Sequence, residues 1–554
     1  MKTALALLAA LSFAHHVADA QITYEIVDCS GIEALSTLTE DAVLDFMSSP
    51  ISCSTNTNTL VTDGITLQLT SSLEAVEFEN LRFQVQDDSV LVSSLPNLVW
   101  QSALLEDSTV DDGIALEVES GGTATFEEDV TFDGCSTAIF SRGAVANRGT
   151  LTFEKTATIK GTTEGGGLFN DGTLEFVGDA VFQDNMLDVD SGARDGAGLF
   201  NDDGDVTFNA AASFIGNEVG ESRDPETEGI FYNGGSGGGM ATYGENVLFK
   251  GPVIFSGNKG SEGSGFYANG ADDTTIIFED SVTFENNIGT SVGDASNGGA
   301  MTVDNGIVEF QGDVTATGNV AKTGGAFFID TDATVTIAGS VTMTGNEARY
   351  EGGAVWNEGT LSMPADAVIS GNTAAMCPSI KVSDGVVELI GGSIFTGGSF
   401  ELCYFGEDTT PSTSTVVVDA AAADCEVLAA SGTYIGDYPT ITLDCRDQSV
   451  WSLDVGTDDF EILCATQLII FVTGGGEMTI SSTAASTTFS NVRIEVLGYT
   501  QLIVNVPNLT MTGIDSSIVG GATFIDEGSS VDFMGEVKFV DNTLAFLSDR
   551  AWVG

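Results

Sequence analysis

The chain has 554 residues, of which 81 are acidic and 17 basic, giving a formal charge of −64 beside a hydrophobic content of 42%. A balance this acidic repels nucleic acid and anionic lipid surfaces, and apolar residues this regularly patterned exclude a disordered chain. Both histidines, His15 and His16, lie in the first segment of the chain. The remainder therefore has no imidazole for a Ser-His-Asp triad, a Cys-His pair or a histidine-ligated zinc.

Residues 1–20 are expected to be a secretory signal peptide. Lys2 opens an apolar run from Ala4 to Phe13, and Ala18-Asp19-Ala20 offers a small-x-small cleavage site. That run is too short to span a bilayer, and the next best, Leu468 to Val472, is interrupted by Gly474 to Gly476. The expected location is thus extracellular, secreted or on the cell surface, with no transmembrane segment. Losing Lys2 and Asp19 leaves 80 acids against 16 bases, so the charge is unchanged.

In residues 21–60, Ser30 stands where it can N-cap an amphipathic helix through Leu35, Leu38, Val43, Leu44 and Phe46, ended by Pro50. This predicts a short N-terminal helical cap over one end of a solenoid. Residues 61–120 alternate irregularly, as in Ile65-Leu67-Leu69 and Phe83-Val85, and predict irregular first coils.

Residues 121–373 are a regular array. One phrase recurs, apolar at its first, third, seventh and ninth positions and followed three residues later by Asn; Leu361, Met363, Ala367 and Ile369 with Asn372 form one copy. Further copies are Ala124/Phe126/Val130/Phe132, Leu151/Phe153/Ala157/Ile159 and Leu174/Phe176/Ala180/Phe182, and others open at Val206, Val247, Ile276, Val308, Val335 and Val531. A small-residue cluster such as Gly352-Gly353-Ala354 precedes each, with Asn147, Asn170, Asn269, Asn305 and Asn357 at the first corner. Two alternations facing one interior, with a third short strand after the cluster, predict an all-β fold: a right-handed, single-stranded parallel β-helix.

Spacing within the unit barely changes, being 19 residues from Ala300 to Asn319 and 18 from Ala354 to Asn372. The link from Asn to the next cluster does change, from 7 residues (Asn319 to Ala326) to 22 (Asn217 to Gly239). Insertions thus gather on one edge, where Arg223, Phe231 and Tyr232 are the candidate contact residues. Asn185, Asn217, Asn258, Asn287, Asn319, Asn346, Asn372 and Asn542 close their copies, and they predict a structural ladder of stacked corner amides rather than a polar active site.

Residues 374–510 keep the β-rich alternation, lose the phrase and carry most of the cysteines; residues 511–554 hold one last copy and the C-terminal end. Cys377, Cys403, Cys425, Cys445 and Cys464 are separated by 26, 22, 20 and 19 residues, about one coil each, and Cys29 and Cys53 by 24. These seven are disulfide candidates, with neighbours pairing, while Cys135 takes the place of a corner Asn. Asn508-Leu509-Thr510 is the one glycosylation sequon.

The clusters, together with Phe182-Gln183-Asp184-Asn185, Phe214-Ile215-Gly216-Asn217, Phe255-Ser256-Gly257-Asn258, Phe284-Glu285-Asn286-Asn287 and Phe539-Val540-Asp541-Asn542, resemble the GGA/FxxN repeat of the chlamydial polymorphic outer membrane proteins. The likeness covers 121–373 and 520–542 and does not extend to that family's C-terminal barrel. It implies a pectin-lyase-like β-helix with an adhesive role, acting on extracellular matrix, a glycan or another cell-surface protein. Two alternatives remain. One is a polysaccharide-active enzyme, a uronan lyase or glycoside hydrolase working through carboxylates such as Asp202-Asp203 and Asp272-Asp273. The other is an acidic matrix protein holding Ca2+ weakly, since no EF-hand or calcium nonapeptide occurs. No catalytic residue, metal ligand or cofactor is assigned from the sequence.

Overall fold

The computed structural model describes residues 22–33, 40–62, 64–101, 115–135, 143–163, 165–187, 195–220, 235–243, 246–271, 274–290, 296–364, 367–375 and 377–382, then mainly strands between 386 and 540. The protein is a parallel β-solenoid that divides into two units, Met1–Asp280 with Thr290–Ala295, and Ser281–Gly289 with Ser296–Gly554.

In the first unit each regular coil contributes three strands. One coil runs through Leu168–Asn170, Thr173–Phe176 and Ala180–Gln183, and the next through Leu199–Asn201, Asp205–Phe208 and Ala212–Ile215. Each strand pairs in parallel with its counterpart one coil away, so Leu168, Leu174 and Phe182 meet Leu199, Val206 and Phe214. Because side chains alternate across a strand, every second residue enters the interior, and the phrase positions Leu174, Phe176, Ala180 and Phe182 are all at most 1% exposed. A fourth strand, only two residues long, follows the corner Asn: Met186–Leu187, Glu218–Val219 and Lys259–Gly260 form this extra column.

The second unit repeats the plan. Met301–Phe310 and Phe327–Ile337 each fuse the first two strands of a coil, and Val314–Thr317 and Val341–Thr344 supply the third. Its fourth column consists of Ile288–Gly289, Val320–Thr323 and Glu347–Glu351. The cluster glycines have separate reasons: Gly352 adopts φ +66°, which side-chain-bearing residues rarely take, and a Cβ on Gly353 would come 2.2 Å from the Pro378 carbonyl oxygen of the next coil. Beyond 386, parallel strands continue in two columns, one from Val386–Ile390 to Ser530–Phe533 and one from Thr440–Asp444 to Glu536–Val540. Val531 and Phe533 of the last copy are only half-buried.

The expected N-terminal helix does not extend to Phe46. Cys29–Glu33 is helical, Leu35 and Leu38 lie outside the described residues, and Ala42–Phe46 is instead a strand lying between Ile22–Ile26 and Thr66–Ser71. Val43, Leu44 and Phe46 fit a helical spacing, but Ala42, Leu44 and Phe46 also fit a period of two, and all three are 0% exposed. Burying them in coils that are already closing decides the conformation. Residues 21–60 therefore begin the solenoid as well as bounding it.

Candidate functional site

The corners are built first, because they fix what the faces can present. In the first unit Asn185 Nδ2 donates to Asn217 Oδ1 at 2.9 Å, and Asn217 Nδ2 donates to Asn258 Oδ1 at 3.0 Å. Each amide also accepts from the backbone N–H one coil earlier and donates to a carbonyl, as Asn217 does to Phe182 O at 3.0 Å. Thr162 opens this ladder by donating to Asn185 Oδ1. The second unit carries the same construction through Asn287, Asn319, Asn346 and Asn372, each link 2.9 Å. These amides are at most 8% exposed and fully engaged, so they are structural. Cys135 is buried, with Sγ 3.6 Å from the Trp100 carbonyl oxygen.

At the first corner the ladder differs from the expected set. Asn147 bonds Asn170 at 2.6 Å, Asn170 bonds Asn201 at 2.7 Å, and Asn201 donates to Thr242 Oγ1. Asn357 shares the column, but its neighbours in register are Ile329 and Val382. Asn269 and Asn305 lie off it, since Ala268 and Val303 occupy the equivalent positions. Asn201 does not show as a corner residue in the sequence, because the following Asp-Asp-Gly does not match the Asn-x-Gly corner of other coils.

Outward positions separate the faces. The second and third strand columns show half-buried or exposed threonines such as Thr123, Thr150, Thr152, Thr315 and Thr342. The first column shows aromatic and charged groups instead. In the first unit the Glu117 carboxylate, 1% exposed, receives the guanidinium groups of Arg82 and Arg148, and Arg148 lies 5.7 Å from the Phe169 ring centre. From Phe169 the rings continue through Phe200, Tyr243 and Tyr267 in steps of 5.7, 5.6 and 5.6 Å, with Tyr243 donating to Asp195 at 2.9 Å. Phe169 and Tyr267 are 3% and 4% exposed, so this file is packing with its charge compensated.

The second unit places Phe328, Trp356 and Lys381 in register on successive coils. Trp356 stacks on Phe328 at 6.2 Å, and the Lys381 ammonium sits 4.8 Å from its ring centre while pairing with Glu351 at 2.6 Å. The Trp356 indole N–H is buried without an acceptor. Beside this cluster the fourth column is irregular: Ala321 pairs with Ala348 and Thr323 with Glu351, so Lys322 alone faces Arg349 and Tyr350 across a β-bulge. Lys322 is 7% exposed and forms no ion pair among the described residues; Tyr350 is 43% exposed with the Arg349 guanidinium 5.2 Å from its ring centre.

Arg223, Phe231 and Tyr232 lie outside the described residues, as do Cys425, Cys445, Asn542 and the Asp272-Asp273 pair. Cys29 and Cys53 form a disulfide, and Cys377 is also disulfide-bonded. Cys403 and Cys464 fall within Leu402–Tyr404 and Phe460–Thr473. Asn508 is exposed at the start of its strand. Asp203 is exposed on a turn with Asp202 half-buried beside it. Among the described residues no group of three or more His, Cys, Asp or Glu side chains is arranged to hold a metal ion.

Acidic residues have a role that composition did not suggest. Asp129, Asp179 and Asp313 each precede a third-column strand and accept the backbone N–H of Thr156, Ala211 and Ser340 on the next coil, at 3.0, 3.3 and 2.9 Å. Donation from Ser340, first by its side chain and then by its backbone, lowers the Asp313 pKa from its ordinary value.

No family model matches the chain, and no curated protein or solved structure matches it either. The likeness to the chlamydial repeat thus consists of its GGA and FxxN words, set on a parallel β-solenoid.

Proposed function

We propose that this is an extracellular or cell-surface recognition solenoid, wound right-handed as parallel crossovers of L-residues prefer, whose work is binding. The observation that carries this reading is the segregation of the outer surface. Aromatic rings and the cations Arg148, Lys259, Lys322, Arg349 and Lys381 lie along the first and fourth columns, whereas the second and third columns present mainly threonine and acids, with Lys160 and Lys250 among them. A protein that only had to be soluble gains nothing by concentrating scarce cations and an exposed Tyr350 on one edge. The Cys29–Cys53 disulfide supports an oxidising location, and the chlamydial-like repeat words support an adhesive use. A glycan array probed with the full chain, run beside lyase and hydrolase assays on uronans, tests the reading. Binding to a glycan class without product formation is expected; turnover, or binding to no glycan or cell-surface protein, contradicts it.

A further inference from the structure

We propose that the β-bulge in the fourth column of the second unit is a subsite for an anionic sugar. Lys322 and Arg349 take its carboxylate or sulfate oxygens, and Tyr350 packs against the apolar face of the ring; the assignment rests on the recognition reading above.

The argument begins with Lys322. A lysine whose stem is covered can keep its ammonium in water, and in a chain with 81 acids against 17 bases a carboxylate partner is easily found. Two of the other buried cations show this: Arg82 holds Glu117, and Lys381 holds Glu351. Lys322 is 7% exposed, its stem covered while its ammonium still reaches water, yet among the described residues it has no ion pair. The nearest acid by strand register, Glu351, is already bound to Lys381 and so does not compete. Arg349 likewise pairs with no carboxylate among the described residues; its guanidinium is held 5.2 Å from the Tyr350 ring centre. The bulge sets one residue, Lys322, against two, and this turns both Arg349 and Tyr350 outward, with Tyr350 43% exposed. Two uncommitted cations beside an exposed ring match a sugar that carries an anionic oxygen. A neutral sugar would leave both cations unused, and an acidic peptide would leave the ring unused.

The setting also gives the ligand an unusual salt dependence. At low ionic strength the charge of −64 repels any anion over tens of ångströms. At physiological salt the Debye length shortens to about 8 Å, so distant acids are screened while the contact pairs persist. Affinity for a short anionic oligosaccharide should therefore rise, not fall, between about 10 and 150 mM NaCl.

The test is calorimetric titration of the full chain with four probes: tetragalacturonate, its methyl ester, a sulfated galactan tetrasaccharide and an oligo-aspartate. Binding of tetragalacturonate alone, of the sulfated probe alone, or of both supports the site and identifies the anionic group. Lys322→Gln, Arg349→Ala and Tyr350→Ala should each weaken that binding about tenfold or more, and Lys322→Arg should hold it within about threefold. Lys250→Gln, a control at an exposed lysine bonded to Asn209, should leave it unchanged. Binding of neither anionic sugar, equal binding of the ester or the peptide, or wild-type affinity in the three variants overturns the proposal. If the Lys322→Gln protein does not fold, the two exposed positions decide. A glycan-array signal that survives all three substitutions sinks this subsite but leaves the recognition reading intact.

Discussion

The two units share a corner and differ in what surrounds it. Both carry a four-membered ladder ending in the same amide geometry, with links of 2.9 to 3.0 Å. Inside, the first unit stacks phenyl rings: Phe176, Phe208, Phe249 and Phe278 lie 4.9, 4.6 and 4.5 Å apart and within 3° of parallel. The second unit fills the same positions with Phe310, Ile337 and Met363, and fills the third-column file, phenyl in the first unit at Phe182, Phe214 and Phe255, with Ala316, Met343 and Ile369. The interior thus accepts any apolar set of suitable volume, whereas the corner accepts only a group that can donate and accept together. The fourth columns differ as well. Lys259 pairs with Glu218 at 2.8 Å in the first unit, while Lys322 and Arg349 in the second pair with no carboxylate among the described residues.

The largest expected effect breaks the first contrast. Phe208→Ala removes a ring sandwiched between two parallel neighbours, and should cost about 3–5 kcal/mol, read as lost hydrogen-exchange protection in the first unit only. Phe208→Leu should cost much less, as the aliphatic filling of the second unit suggests; a loss equal to that of the alanine variant would mean that ring stacking itself is required. Next, Asn217→Ala and Asn346→Ala should cost about 2–3 kcal/mol each, because each strands a buried backbone N–H and an amide in the neighbouring coil. The two values should agree despite the different interiors, and a marked inequality would refute a common corner. Reducing the Cys29–Cys53 bridge should lower stability by about 2–4 kcal/mol, with the deprotection read at Ile22–Phe46.

The smallest effect concerns pH. The Asp313 carboxyl titrates below its ordinary value because Ser340 stabilises the charged form, so its contribution is present above the unfolded pKa and fades as pH falls through the folded one. Protection of the Ser340 N–H should therefore decline below about pH 4, and Asp313→Asn should abolish that pH dependence. A profile identical in the variant would remove Asp313 from the account.

Much of this architecture is legible in the sequence. A period of two at Leu174/Phe176 and Ala180/Phe182, repeated at near-constant spacing, requires paired strands facing one interior, and an Asn at a fixed offset requires a stacked corner. The fourth column is not legible, because two residues such as Met186–Leu187 are too short to show alternation. Ala42–Phe46 satisfies both periods, and only the coils on either side choose between them. The cationic subsite is the least visible. Lys322 reads as one polar residue in Val-Ala-Lys-Thr, and its meeting with Arg349 and Tyr350 depends on a single slipped pairing between strands 27 residues apart in sequence, as Val320 to Glu347 shows.

The most direct test compares the two fourth columns in one experiment: hydrogen–deuterium exchange of the full chain with and without tetragalacturonate or the sulfated tetrasaccharide. New protection at Val320–Thr323 and Glu347–Glu351, with none at Glu218–Val219 and Lys259–Gly260 where the charges already pair, is the predicted result. Protection at the first unit's column, or at neither, would contradict the claim that recognition resides where the solenoid leaves its cations uncommitted.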